Sequence, residues 1–217
     1  MAETPSESIS ADKVVVWYSS SEQSISATMA DFLNDNGVTP SVRTLYFIDA
    51  MGRFPIKEFC QLLPPQENGA LFENVRVMAS LDLGELIDVV GKIAQFTQVA
   101  RSAHSRDPVK SPSPQVLVFL RGLDVMFRNT ALRDQSRAHL LLRDIMLRLR
   151  MIAKSSTSTT KTIVLFPAFH NTNESSADAS QPPSKKHKMN PSSLNNNSLA
   201  AYISKYYADR IVVLGKP

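Results

Sequence analysis

Glycine is scarce in this chain, seven in 217 residues, and none of the seven stands where a phosphate-gripping loop would need it. Such a loop wants closely spaced glycines so that backbone N–H groups surround phosphate, followed by Lys and Ser/Thr. Gly91-Lys92 falls inside a helical pattern with Leu86 where the loop's first glycine should be, and Gly215-Lys216 lies at the C-terminus. Cysteine is rarer still. Cys60 alone excludes an intramolecular disulfide, fits a reducing compartment, and reads as a small buried hydrophobe beside Phe59 and Leu62. No apolar run approaches membrane-spanning length. The polar, partly acidic segment Met1 to Asp12 lacks the features of a secretory signal, so the chain reads as soluble and intracellular. His104, His139, His170 and His187 are scattered, three of them in expected loops, and no HExxH, Cys/His metal spacing or G-x-S-x-G elbow occurs. A Ser/His/Asp site is defined by geometry rather than spacing and is not addressed by these absences. No metal or cofactor is expected, and the chain reads as a non-enzyme.

What is present is a core. Apolar residues make up 43% of the chain, and the net charge of +4 is a mild excess that suits an anionic partner. The length fits one large domain, expected over residues 13–217 behind a flexible tail at 1–12, with long polar connections near 101–115 and 171–197. Lys13 to Tyr18 reads as a first strand, with three consecutive valines. A helix is expected from about Ile25 to Asn34, closed by Asn36-Gly37. Val42 to Ala50 reads as a strand, Phe54 to Leu63 as a short helix stopped by Pro64-Pro65, and Phe72 to Met78 as a third strand. Asp82 opens a helix running to about Val99, with Leu83, Leu86, Ile87, Val90, Ile93, Ala94 and Thr97 on one face. A polar connection with three prolines, Arg101 to Pro114, follows it. Ser136 to about Ala153 is the longest expected helix. Its stripe is Leu141, Ile145, Leu149 and Ile152, and its flanking arginines 137, 143, 148 and 150 read as a solvated rim. Thr162 to Phe166 and Arg210 to Leu214 are strands, with a helix from Leu199 to Tyr207 capped by Ser198 between them.

The centre of this pattern is Val116 to Leu120, a short apolar run without alternation that suits a strand buried on both faces. Strands alternating with helices imply an α/β sandwich with a mostly parallel sheet flanked by helices, with a hairpin at either edge an open alternative. In RecA-like nucleotide-hydrolysing cores the equivalent strand ends in an acid that helps to hold Mg²⁺. Here Arg121 and Gly122 end it, and the turn after the first strand, Ser19 to Ser26, has neither glycine nor lysine. The fold expected is RecA-like with a degenerate P-loop, which argues against ATP hydrolysis.

The positive signal is Lys185, Lys186, His187 and Lys188 within the long polar connection. Lysines on such a segment reach phosphates without reading bases, so DNA binding would be sequence-independent. A solvated charge run and a nuclear import signal are the competing readings.

At Tyr46-Phe-Ile-Asp-Ala50, Phe54-Pro55, Leu63-Pro-Pro65, Phe72-Glu-Asn-Val-Arg76, Leu81-Asp-Leu83, Gly122-Leu-Asp-Val-Met-Phe-Arg-Asn129, Leu141-Leu-Arg-Asp144 and Tyr202-Ile-Ser-Lys-Tyr-Tyr-Ala-Asp209, the chain resembles the RecA-paralogue-like subunits of the yeast Shu complex. The likeness runs from the first strand to the last helix and is most specific at Gly122 to Asn129. The N-terminal tail and the two polar connections do not obviously match. The resemblance implies a RecA-like core without ATPase activity and without a cofactor, acting in the nucleus in homologous recombination repair and meiosis. It implies a heterodimer with the paralogue-like subunit, platinum sensitivity protein 3. It further implies binding to single-stranded or forked DNA, and help for the recombinase and its paralogues in assembling filaments. The family's DNA-binding loop, a basic run ahead of the last helix, maps onto Lys185, Lys186 and Lys188, where this chain has lysines and a histidine in place of mostly arginines. Phe54 resembles a family position that contacts recombinase-side partners, and reads equally as a hydrophobic staple folded onto the domain. The alternative function is a scaffold that leaves DNA to its partner, its basic segment serving import.

Overall fold

The computed structural model describes residues 12–19, 21–35, 41–108, 111–153, 160–167 and 196–213. Among these residues six strands form one sheet: β1 Val14–Tyr18, β2 Ser41–Asp49, β3 Val75–Ala79, β4 Ser113–Arg121, β5 Thr160–Phe166 and β6 Arg210–Val213. Seven helices connect them: α1 Glu22–Asn34, α2 Ile56–Leu62, α3 Pro65–Phe72, α4 Leu83–Arg106, α5 Leu123–Ala131, α6 Gln135–Ala153 and α7 Asn196–Tyr206. The strand order is β3-β2-β4-β5-β1-β6, and every pairing is parallel. The sheet is therefore all-parallel and RecA-like, and among the described residues neither edge carries a hairpin.

Order and handedness together dictate the layers. The chain steps from β1 to β2 to β3 in one direction along the sheet, then reverses through β4, β5 and β6. Right-handed crossovers put α1 to α3 on one face and α4 to α7 on the other. The two cores divide in that way. Val15, Trp17, Leu45, Phe47, Leu117 and Phe119 meet Ile25, Met29 and Leu33 of α1 and Phe59 of α2. Their neighbours in sequence, Val14, Val16, Tyr46, Ile48, Val116 and Val118, meet α4, α5, α6 and α7. Because successive side chains of a strand point to opposite faces, a strand serving two cores must be apolar without alternation. β4 is that strand: Phe119 and Leu120 are both fully buried, one in each core.

Three expected boundaries move, each for a local reason. Pro64-Pro65 ends α2 but also begins α3, because proline at a first helical position gives up an N–H that would lack a partner anyway. The third strand consequently starts at Val75 rather than Phe72. α4 continues past Val99 to Arg106, absorbing the start of the expected polar connection and His104, and stops at Asp107 before Pro108, which disfavours helical backbone in the residue preceding it. α5 is a helix that the sequence pattern does not announce. Its Leu123, Met126, Phe127 and Thr130 are buried at helical spacing. Smaller shifts accompany these. α1 starts at Glu22, β4 runs back to Ser113, and Ser198 lies within α7 rather than capping it. Asn36-Gly37, the expected stop of α1, lies outside the described residues, and the cap described is Asp35.

Asp209 fastens the last strand to the first. Its Oδ2 accepts the backbone N–H groups of Lys13 and Val14, each at 2.9 Å, its own N–H donates to the Val14 carbonyl at 2.8 Å, and Arg150 of α6 pairs with Oδ1 at 3.0 Å. Burial pushes the carboxyl pKa up, but the two backbone donors and Arg150 outweigh it and leave the pKa below the ordinary value. A carboxyl depressed on folding contributes stability that is present above its unfolded pKa and is lost as pH falls through the folded one. Asp209→Asn is expected to cost on the order of 2 kcal/mol at neutral pH. The gap to the wild type should close as the solution is acidified below the usual carboxylate range, near pH 4, as followed by denaturant unfolding at several pH values.

Candidate functional site

In open parallel sheets, ligands bind outside the carboxyl ends of the strands. That edge carries a cavity of about 270 Å³ lined by Ser19, Glu22, Asp49, Arg53, Arg121 and Asp124, with Ile25, Met51, Leu165 and Phe166 as its apolar wall. The residues come from the ends of β1, β2, β4 and β5 and from the first turns of α1 and α5.

The first turn of α1 is already satisfied from within. Ser19 closes onto β5 through its N–H to the Phe166 carbonyl at 3.1 Å, and its hydroxyl accepts the Ser21 N–H at 3.1 Å. Ser21 caps the helix by accepting the Ser24 N–H at 3.2 Å, and Glu22 occupies the first helical position. A helix N-terminus attracts anions because its free N–H groups carry partial positive charge. Here the Ser21 hydroxyl accepts one of those N–H groups, and the Glu22 carboxylate stands in the same turn.

Opposite Glu22 stands Arg121, at the end of β4. Its guanidinium meets the carboxylate in a two-pronged contact, Nη2 to Oε1 at 2.6 Å and Nη1 to Oε2 at 3.0 Å, and Nη1 also donates to the Arg53 carbonyl at 2.9 Å. Fork-to-fork pairing of this kind is among the stronger and more directional polar contacts. Asp49, almost fully buried at the end of β2, accepts the backbone N–H of Arg53 and so shapes the loop that presents that carbonyl. Gly122 completes the arrangement. It holds φ +76° as the residue before α5, and a Cβ there would lie 2.8 Å from that of Ala50. Only glycine fits both the left-handed backbone and the close approach. The cavity thus faces three carboxylates, Glu22, Asp49 and Asp124, with two guanidinium groups among them, a balance hostile to a polyphosphate. Among the described residues, no group of three or more His, Cys, Asp or Glu is placed to hold a metal ion.

The remaining residues singled out in the sequence fall elsewhere. Phe54 precedes α2 rather than opening it. Its half-buried ring packs edge-on against Phe47 at 5.1 Å and Phe59 at 5.3 Å, beside exposed Met51 and Ile56. His104 lies in α4 rather than in the expected loop, His139 lies in α6 against Phe127, within the expected helix, and His170 and His187 lie outside the described residues. Lys185, Lys186 and Lys188 lie outside the described residues. The chain leaves β5 at Phe166, at the carboxyl edge, and α7 must begin near that same edge to bring β6 back in parallel. Arg121 stands out in the sequence by its place after the central strand; Glu22, Asp49 and Arg53 do not, because nothing in their spacing signals that they converge.

If the Arg121–Glu22 pair braces the edge, Glu22→Ala should destabilise the chain by about 1 kcal/mol, a modest figure because the carboxylate is more than one-third exposed. Arg121→Ala, which also strips the Arg53 carbonyl of its donor, should cost about 2 kcal/mol. In a chain of this size each 1 kcal/mol lowers Tm by about 2–4 °C. Thermal unfolding with both variants at or above the wild-type Tm would show that the pair contributes no stability.

Comparison with known proteins places this geometry in context. A family model described as "Shu complex component Csm2, DNA-binding" matches residues 14–208. Among curated proteins, the chain is similar to chromosome segregation in meiosis protein 2 of Saccharomyces cerevisiae, with 31% identity over 211 residues covering 91% of this chain and 95% of that protein. Its likeness to the protein of the same name from Candida glabrata is 27% over 203 residues, covering 91% and 94%. For that of Eremothecium gossypii it is 32% over 192 residues, covering 82% and 89%. With the family match spanning nearly all the described fold, the chain belongs to the family of DNA-binding Shu complex components.

Proposed function

We propose that this chain is a non-catalytic, DNA-binding subunit of a recombination-mediator complex that promotes recombinase filament assembly during homologous recombination repair. The observation that carries the reading is the state of the carboxyl edge of the sheet. There the Arg121–Glu22 pair and the Ser21 cap occupy the positions from which a nucleotide would be held. The long lysine-bearing connection leaves from, and returns to, the same edge. A fold whose carboxyl edge is braced by its own side chains is suited to holding other molecules. Residues 13–217 act as one domain, with 1–12 as a tail. The chain works in the nucleus as a heterodimer with the paralogue-like subunit, platinum sensitivity protein 3, and contacts the recombinase and its paralogues. Among the described residues, no helix is long and apolar enough to cross a membrane.

Lys185, Lys186 and Lys188 supply sequence-independent phosphate contacts in this reading. Changing all three to Glu is expected to weaken single-stranded DNA binding by the heterodimer and to reduce the steepness of its salt dependence by roughly 2, about 0.7 for each phosphate no longer neutralised. Titration of labelled single strands at several salt concentrations reads both quantities. Unchanged affinity and slope would move these lysines to nuclear import and leave DNA to the partner subunit.

Phe54 serves the recombinase side, in a stretch that also carries exposed Met51 and Ile56. Its ring is fixed by Phe47 and Phe59, while Met51 and Ile56 beside it are 52% and 54% exposed. Ile56→Glu, which leaves the ring cluster intact, is expected to weaken capture of the recombinase paralogues at least tenfold with Tm and DNA affinity unchanged. Capture at wild-type levels would remove this surface from the reading.

A further inference from the structure

α6 is amphipathic twice over. Its inward side, Leu142, Ile145, Met146 and Leu149, is buried against the sheet. On the opposite side Leu140, Leu147 and Met151 stand 65%, 43% and 73% exposed. Spacing of seven and then four residues aligns these three in one stripe, about 16 Å long at 1.5 Å per residue. None can turn into the core, because the face that would receive them already points the other way. Scattered single apolar residues on a surface need no explanation, but an aligned row with charged borders marks an interaction site.

The borders are mostly basic. Arg143 and Arg150 line one side, Arg137 and Arg148 the other, and Asp144 is the only acid of the helix. Arg148 is neutralised by Asp144 at 3.0 Å and Arg150 by Asp209 at 3.0 Å. Arg137 and Arg143 are exposed and make no ion pair among the described residues. A second copy of α6 would bring like charges together and is disfavoured. Nucleic acid would suit the arginines but would press phosphates onto the leucines. The matching surface is a helix with its own apolar row at positions i, i+3 or i+4, and i+7, bordered by Asp and Glu, which supplies burial and opposite charge at once.

We infer that the outer face of α6 docks an acidic amphipathic helix of a protein partner, the paralogue-like subunit of the complex. The inference rests on the proposed reading of this chain as a subunit of such a complex. It is tested with the full-length chain co-expressed with that subunit. The apolar double variant Leu140→Glu/Met151→Glu should lower co-purification and raise the Kd of assembly at least tenfold. Its Tm in isolation should stay at the wild-type value, because neither side chain touches the core. The charge variant Arg137→Glu/Arg143→Glu should raise the Kd as well and flatten its dependence on salt, which a purely apolar contact would not do. Wild-type assembly in both variants overturns the inference while leaving the proposed function standing. Failure of the wild-type chain to assemble with the subunit removes both. Sedimentation of the chain alone and flotation with phosphatidylserine vesicles complete the set. Self-association or vesicle binding that the apolar variant abolishes, with heterodimer assembly untouched, assigns the stripe to another occupant and also overturns it.

Discussion

Two contacts, 2.6 and 3.0 Å long, tie the end of the central strand to the first turn of the first helix, across 99 residues of sequence. An all-parallel sheet gathers helix N-termini and strand carbonyls at one edge, and that edge needs something to satisfy it. In nucleotide-hydrolysing folds the phosphates, the metal and a lysine do so. Here an arginine and a glutamate of the chain itself bridge the same elements and brace the edge beside its cavity. Gly122 is the condition for this bracing, since a side chain there would collide with Ala50 and pull Arg121 out of line. The rest of the site follows from that bridge: the loop after β2 is drawn in through the Arg53 carbonyl, and Asp49 is buried to hold that loop.

Much of this architecture is legible in the sequence because it rests on local rules. Apolar runs without alternation, Val14 to Trp17 and Val116 to Leu120, are too short for most helices and rich in β-branched residues, so they read as strands covered on both faces, and a parallel sheet with two helical layers follows. The loss of the phosphate loop is equally legible, since it is an absence of glycine and lysine at a fixed place after a strand. Helix ends are less so. Pro64-Pro65 is both a stop and a start, and the distinction depends on whether the following residues find a core to pack against. The α4 extension through Arg101 reads as polar loop because its charged side chains obscure the fact that nothing in it breaks a helix before Pro108.

The site itself is the part that sequence conveys least. Arg121 stands out by its position after the central strand, but its partner Glu22 is an ordinary first-turn acid of the kind that favours many helices. Which carboxylate meets which guanidinium is decided by the strand order, with β1 separated from β4 by β5. That order sets the spacing between the start of α1 and the end of β4, and a glutamate and an arginine together span it. Phe54 shows the same limit. Its aromatic ring is readable as a staple or as a contact, and the ring cluster with Phe47 and Phe59 gives it the first role without removing its exposed rim from the second.

Bracing the carboxyl edge internally has a consequence for how such a fold can work. An edge braced by its own side chains ties the end of β4, the start of α1 and the loop after β2 into one unit. Such a unit gains function by distributing contacts over separate surfaces. The lysine-bearing connection is rooted at the carboxyl edge, the Phe54 stretch lies beside β2 over the α1 layer, and the α6 stripe faces outward from the opposite layer. The sheet stands between the two helical layers and keeps the last two on opposite faces of the fold. In the function proposed above, that separation allows nucleic acid and protein partners to be held at different surfaces of one chain.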